Sequence, residues 1–118
     1  MIKVIGLLKR RADLSHEEFC DYWLNKHHPL AARLVPKPAM SSKYVQNHAL
    51  VMKSGADAPY DAVAELHYDD QAHMQRWIDW YYSDEGKALR DDELNFMDVN
   101  KRVIVVTDEH VLRDRPAS

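Results

Sequence analysis

The 118-residue sequence has a single cysteine and only three glycines, and each shortage removes a class of function. One thiol, Cys20, cannot build an internal disulfide framework or a zinc site that needs several thiolates. On the apolar side of a helix it reads as a small buried hydrophobe rather than a nucleophile. Three glycines can hardly furnish a phosphate-cradling loop. There is no H-E-x-x-H and no other ligand spacing with independent force, so no metal is expected. An excess of one charge is also missing. The formal net charge is −3 with acids and bases interspersed, which leaves no electrostatic footprint for nucleic acid or an anionic membrane. No apolar run approaches the roughly 18 residues of a membrane span. The opening MIKVIGLLKRR places its basic residues after a short apolar segment, the reverse of a secretory signal, so the expected location is cytoplasmic. No internal repeat and no low-complexity segment is evident.

What remains is ordinary globular material, 46% hydrophobic and 30% charged. The length suits one domain with one core, read as residues 1–112 followed by a flexible tail at 113–118. Residues 2–9 are short, aliphatic and β-branched, and predict a first strand in which Gly6 marks a bulge or a close approach. Ser15 with Glu18 forms a capping box and starts a helix at His16. That helix is expected to weaken at His28, because Pro29 disfavours helical geometry in the residue before it, and to restart from Pro29 as far as Val35. Tyr44 to Met52 alternates as a second strand, Ser54 to Pro59 is a turn, and Tyr60 to Tyr68 pairs back as a third strand. Asp69 and Asp70 cap a helix over Gln71 to Tyr82, Ser83 caps another through Asn95, Val99 to Thr107 is the fourth strand, and His110 to Leu112 is a short fifth. The order βα, β, βα, β is the α+β ferredoxin-like split βαβ arrangement, a four-stranded antiparallel sheet with helices on one face. Val103 to Val106 are apolar at consecutive positions, so the other face needs cover, and a second copy packed sheet to sheet supplies it. A homodimer is expected.

The candidate chemistry centres on DYWLNKHHPLAARL, residues 21–34. Helical spacing puts His27 in the stripe of Phe19, Trp23, Leu30 and Leu34, so it looks inward, where a sheltered imidazole can act as acid or base; His28 lies opposite and has a minor role. Tyr44, Gln46 and His48 share one side of the second strand and together can orient a hydroxyl, stabilise an oxyanion and move a proton. Asp98 is the candidate carboxylate to orient a histidine. Trp23, Trp77 and Tyr81 are expected to wall the substrate pocket. Each has a plainer reading. His27 can be a core histidine bonded to a backbone carbonyl; the strand trio can be a wet edge; Glu65, His67 and Asp98 can be solvated charges or ion pairs.

The opening MIKVIGLLKRR, the W-x-x-x-H-x-P-L pattern at Trp23, His27, Pro29 and Leu30, YVQNHAL at Tyr44 to Leu50, YDAVAEL at Tyr60 to Leu66, FMD at Phe96 to Asp98 and the closing DEHVL together resemble the EthD family of the dimeric α+β barrel superfamily. The likeness spans nearly the whole chain. It departs at His28, where relatives usually carry a small residue, and at a longer loop over Pro36 to Ser42. The resemblance implies a ferredoxin-like protomer, two sheets forming a barrel across the dimer, and a pocket between sheet and helices in each subunit. Relatives there run cofactor-free chemistry on aromatic or polyketide-like compounds.

The expected protein is a homodimeric, cofactor-independent enzyme of lyase, dehydratase, cyclase or isomerase type. It acts on a small hydrophobic, aromatic or polyketide-like substrate with His27 and His48 as acid and base. Two rivals stay open: a cofactor-free or haem-dependent monooxygenase, and a non-catalytic binding protein that accompanies a catabolic or biosynthetic enzyme.

Overall fold

Four strands form one antiparallel sheet in the order β2-β3-β1-β4. They are β1 (Ile2–Leu8), β2 (Lys43–His48), β3 (Ala62–Tyr68) and β4 (Val103–Asp108). A computed structural model describes residues 1–50 and 58–117. The helices are α1 (His16–Tyr22), α2 (His28–Leu34), α3 (Gln71–Tyr81) and α4 (Lys87–Glu93). The topology is the ferredoxin-like one expected, α+β with the first and third strands paired at the centre. Among the described residues no helix is long and apolar enough to cross a membrane.

The expected break at Pro29 does not occur. A π-helical turn, Trp23–His27, joins α1 to α2, and His28 keeps right-handed helical geometry at φ −60°, ψ −48°. A proline removes one helical N–H and its ring crowds the carbonyl four residues back. The wider turn takes up that conflict, the His28 N–H reaching the Trp23 carbonyl instead, so the rod runs unbroken from 16 to 34. The Ser15 and Glu18 capping box is present, and of the two acids before α3 it is Asp70 that caps, its carboxylate accepting the His73 N–H at 2.8 Å. The last helix is shorter than expected, Lys87–Glu93, because Ser83 closes the turn after α3: its hydroxyl donates to the Trp80 carbonyl and accepts from the Gly86 N–H. Strands two, three and four are also shorter than read, and residues 109–117 carry no fifth strand. Val51 and Met52, the last residues of the second strand as read, and most of the expected turn lie outside the described residues.

Pleating assigns the two sheet faces. Register pairs Val4 with Leu66 and Val106, and Gly6 with Ala64 and Ile104, so these line the face under the helices. The other face carries Ile5, Leu7, Val45, Val63, Val103 and Val105, all exposed or half-buried, together with a Lys3 ammonium bridging Glu65 and Glu109. Glu65 is therefore an ion-pair partner, with Asn47 also donating to it at 2.7 Å.

Two hydrophobic clusters form the core, the first tying helices to sheet and the second packing helical segments against one another. Leu8, Phe19, Trp23, Ala62, Ala64, Phe96 and Met97 pack at one end, with the Phe19 and Phe96 rings 5.4 Å apart. Ala39, Trp80, Tyr81 and Leu89 pack at the other. Burying rings of this size contributes about 2 to 3 kcal/mol each relative to exposure. The clusters sit apart and leave space between them.

Candidate functional site

That space is a cavity of about 500 Å³ between the sheet and the helices. Small residues keep its floor open. A Cβ added to Gly6 would already meet Ile104 Cδ1 at 3.3 Å, with the Ala64 methyl beside it. Leu66, Trp77 and Ile78 make apolar walls, interrupted by polar side chains that include His27, His28, Tyr44, Tyr81 and the charged Lys43, Glu93 and Arg102. A mostly apolar hollow with a few convergent polar groups has the composition of a small-molecule site.

His27 enters from the end of the π turn and is 7% exposed. Its Nδ1 lies 2.8 Å from Asp92 Oδ2 on α4, and its ring packs against Phe96 at 4.9 Å. A carboxylate only accepts, so Nδ1 carries a proton, and in the neutral ring Nε2 keeps the lone pair, with no hydrogen-bond partner among the described residues. Burial pushes the Asp92 carboxyl upward, but hydrogen bonds from Tyr22, His27 and Asn95 outweigh it and hold the group below the ordinary aspartate range. The dyad is thus an ionised carboxylate orienting an imidazole at the cavity wall.

Tyr44, Gln46 and His48 do share the helix-facing side of β2, and they form a relay. His48 Nε2–H donates to Gln46 Oε1 at 3.0 Å, and the Gln46 amide donates to the Tyr44 oxygen at 3.1 Å and to the Trp23 carbonyl at 3.3 Å. Burial raises the Tyr44 phenol to about 12, against the pull of hydrogen bonds from Gln46 and Trp23 and with the Glu93 charge adding to the rise. Tyr44 therefore stays a neutral donor whose own proton is committed to none of the described residues. The His28 ring stacks on it at 5.6 Å.

The third polar group is at the α3 and α4 side. Glu93, 8% exposed, accepts through Oε1 from the Tyr81 hydroxyl and from Arg102 at 3.2 Å. Arg102 also reaches the Tyr81 oxygen at 3.4 Å. Burial first, and then the neighbouring Glu93 charge, push the Tyr81 phenol up to about 12.

An EthD domain matches residues 11–100. The chain belongs to the EthD family. Among solved structures it is similar to an EthD family protein from Bacillus halodurans, at 23% identity and TM-score 0.65 over 93% of this chain and 99% of that one. It is also similar to a dimeric protein of unknown function with a ferredoxin-like fold from Bacteroides fragilis, at 18% identity and TM-score 0.58 over 92% and 95% of the two chains. A putative antibiotic biosynthesis monooxygenase from Nitrosomonas europaea aligns at 16% identity and TM-score 0.56 over 92% and 98%. No curated protein sequence matches significantly.

In this EthD chain the residues read from the sequence are only partly brought together. His27, Trp23, Tyr44, Trp77 and Tyr81 line the cavity. His48 does not: its ring stacks on Trp23 at 5.1 Å, and it acts on the cavity only through Gln46 and Tyr44. Burial, helped by the charge of His16, lowers its pKa, as suits a neutral donor to an amide. Asp98 is also elsewhere. Its backbone N–H bonds to Lys9, and its carboxylate accepts from the Asn100 N–H at 3.1 Å and faces Lys101, so it caps its own turn. The carboxylate that does meet a candidate histidine is Asp92, at His27. His28, given a minor role, lies in the wall. Cys20 stands 3.5 Å from His16 Nε2, and burial and then the Asp61 charge push its thiol up, so it is no thiolate nucleophile.

The sequence reading missed Asp92, Glu93 and Arg102. A signal existed for Glu93: it lies four residues after Leu89 and four before Met97, both buried, so the helical stripe turns it inward. Arg102 gives no sign in the sequence of facing a cavity.

Proposed function

We propose that the cavity is the active site of a homodimeric, cofactor-independent enzyme that moves a proton on a small hydrophobic, aromatic or polyketide-like compound, giving elimination, cyclisation or isomerisation. The observation that carries this reading is the His27 and Asp92 dyad opening on an apolar hollow. Nε2 of His27 takes the proton from a substrate hydroxyl or an acidic carbon, while Asp92 keeps the tautomer and stabilises the imidazolium that forms. The neutral Tyr44 phenol donates to the oxygen on which negative charge develops. Gln46, held by His48, positions Tyr44, and the apolar walls exclude water, so each polar interaction gains strength. The dyad and the lining position of His27 support it as the reacting base, with His48 in a positioning role.

The dimer follows from the bare sheet face. Ile104 and Val106 are 54% and 55% exposed although both border the cavity, and the outer face beside them is apolar. A second copy covers both at once. The Bacteroides fragilis relative is described as dimeric.

The test is turnover of hydroxylated naphthalenes and polyketide-like ketones by the wild type and by His27→Gln. The variant is expected to lose activity by about 10²-fold or more while remaining folded and dimeric. Full activity in folded His27→Gln removes the reading. The monooxygenase rival, suggested by the Nitrosomonas europaea relative, is separated by oxygen uptake during turnover: stoichiometric consumption selects it.

A further inference from the structure

The Tyr22 hydroxyl donates to Asp92 Oδ1 at 2.6 Å, on the same carboxylate whose Oδ2 lies 2.8 Å from His27 Nδ1. Two side chains of one helical rod thus divide the two oxygens between them. Asn95 adds a longer donation to Oδ1 at 3.2 Å and another to the Tyr22 oxygen at 3.3 Å. Tyr22 is itself held in place. Its ring stacks on Phe96 at 5.0 Å, and the Lys26 ammonium lies 5.4 Å from the ring centroid.

That sharing depends on the shape of the rod. Tyr22 and His27 are five residues apart, and on a regular α-helix they would point about 140° away from each other around the axis. Between them runs the π turn Trp23–His27, whose i to i+5 repeat rotates each residue less and brings the two side chains round to one side. The turn that absorbs Pro29 therefore also delivers Tyr22 and His27 to a single acid.

A carboxylate bonded at one oxygen alone can turn about its last bond and offer either oxygen. With Oδ1 taken by Tyr22, the carboxylate plane is fixed and Oδ2 is the oxygen presented to His27. A bond to an ionised acceptor is roughly twice as strong as a neutral one. Burial, and then the bond to Asp92, push the Tyr22 phenol up, so it stays a proton donor.

We infer that Tyr22 is a positioning residue for the dyad: across the π turn it shares Asp92 with His27 and so holds the neutral imidazole with its proton on Nδ1. The consequence for turnover rests on the reading of His27 as the base, but the test needs no substrate. It is NMR of the full chain, with His27 ring ¹⁵N shifts reporting the tautomer and the Asp92 carboxyl ¹³C shift reporting its titration. The wild type is expected to show the Nδ1–H tautomer in excess and Asp92 titrating below 3.8. In Tyr22→Phe, which keeps the ring against Phe96, the excess is expected to fall by about threefold or more and the Asp92 midpoint to rise by about one unit. A packing role alone would move neither. An unchanged tautomer and midpoint in folded Tyr22→Phe overturns the inference, and so does a wild type with the Nε2–H tautomer in excess. If Tyr22→Phe does not fold, the Tyr22 ionisation decides: a wild-type midpoint above 10 that falls in Asp92→Asn upholds the inference, and one that does not respond overturns it. Failure of these readouts leaves His27 as the base to be judged by His27→Gln turnover, and full activity of that variant leaves the tautomer result standing.

Discussion

His27 and Asp92, 65 residues apart in sequence, meet at 2.8 Å, and this contact commits the Nδ1 nitrogen of an imidazole that lines the cavity. The carboxylate can only accept, so in the neutral ring the lone pair is left at Nε2.

Asp92→Asn tests that relation. An amide can donate to Nδ1, which moves the proton to Nε2 and removes the base. Turnover is expected to fall by about 10²- to 10⁴-fold. Ligand affinity, measured separately by fluorescence titration, is expected to change by less than about threefold, because no wall of the cavity is altered.

A second acidic group governs stability. Asp61, 3% exposed, accepts from the Arg10 backbone N–H and guanidinium and lies 2.9 Å from His16 Nδ1; the other His16 nitrogen bonds to the Ala49 carbonyl. Burial pushes the Asp61 carboxyl up, but the bonds from Arg10 and His16 prevail and hold it below 3.8. A folded pKa depressed below the unfolded one stabilises the fold above the unfolded value and loses that contribution as pH falls through the folded value. Urea unfolding is expected to show Asp61→Asn destabilised by about 3 kcal/mol at pH 7. The difference between the two proteins should begin to shrink as the pH approaches 3.8 and close only once it falls below the lower folded-state value.

The apolar outer face of the sheet predicts self-association. Sedimentation is expected to give twice the 13.8 kDa chain mass for the wild type. Val105→Glu, which puts a charge amid Ile5, Leu7 and Val63, is expected to shift the protein toward monomer by at least tenfold in dissociation constant. An unchanged dimer would place the contact elsewhere.

Tyr68 is fully buried and its hydroxyl has no partner among the described residues, while burial drives its pKa well above that of a free phenol. A buried polar atom without a partner costs about 1 to 3 kcal/mol. Tyr68→Phe is expected to raise stability by about 1 kcal/mol, read as a higher urea midpoint at unchanged slope.

The stripe of Phe19, Trp23 and His27 announced an inward imidazole because helical spacing is local information, and the alternation of β2 likewise put Tyr44, Gln46 and His48 on one side. Partnership is not local. Three acids stand together at Asp91, Asp92 and Glu93, and only the packing of α4 against the π turn decides that Asp92 meets His27 while Lys87 pairs with Asp91. Asp98 has the composition of an orienter, but its carboxylate is consumed by its own turn. His48 faces the helices as read, yet the Trp23 ring on which it stacks is the lining residue. The split βαβ order was plain from element types; the unbroken helix at Pro29 was not, since the rule for prolines assumes the tighter α turn.

That wide turn also sets what can be changed. An α-helical residue advances the chain by about 100° around the axis. Deleting one residue between Trp23 and His28 to regularise the hydrogen bonding would swing His27 off Asp92, or Phe19 and Trp23 out of the core. Natural variation and engineering are free to exchange side chains along this rod, but its length is locked, and loop insertions are the route left for reshaping the chamber it roofs.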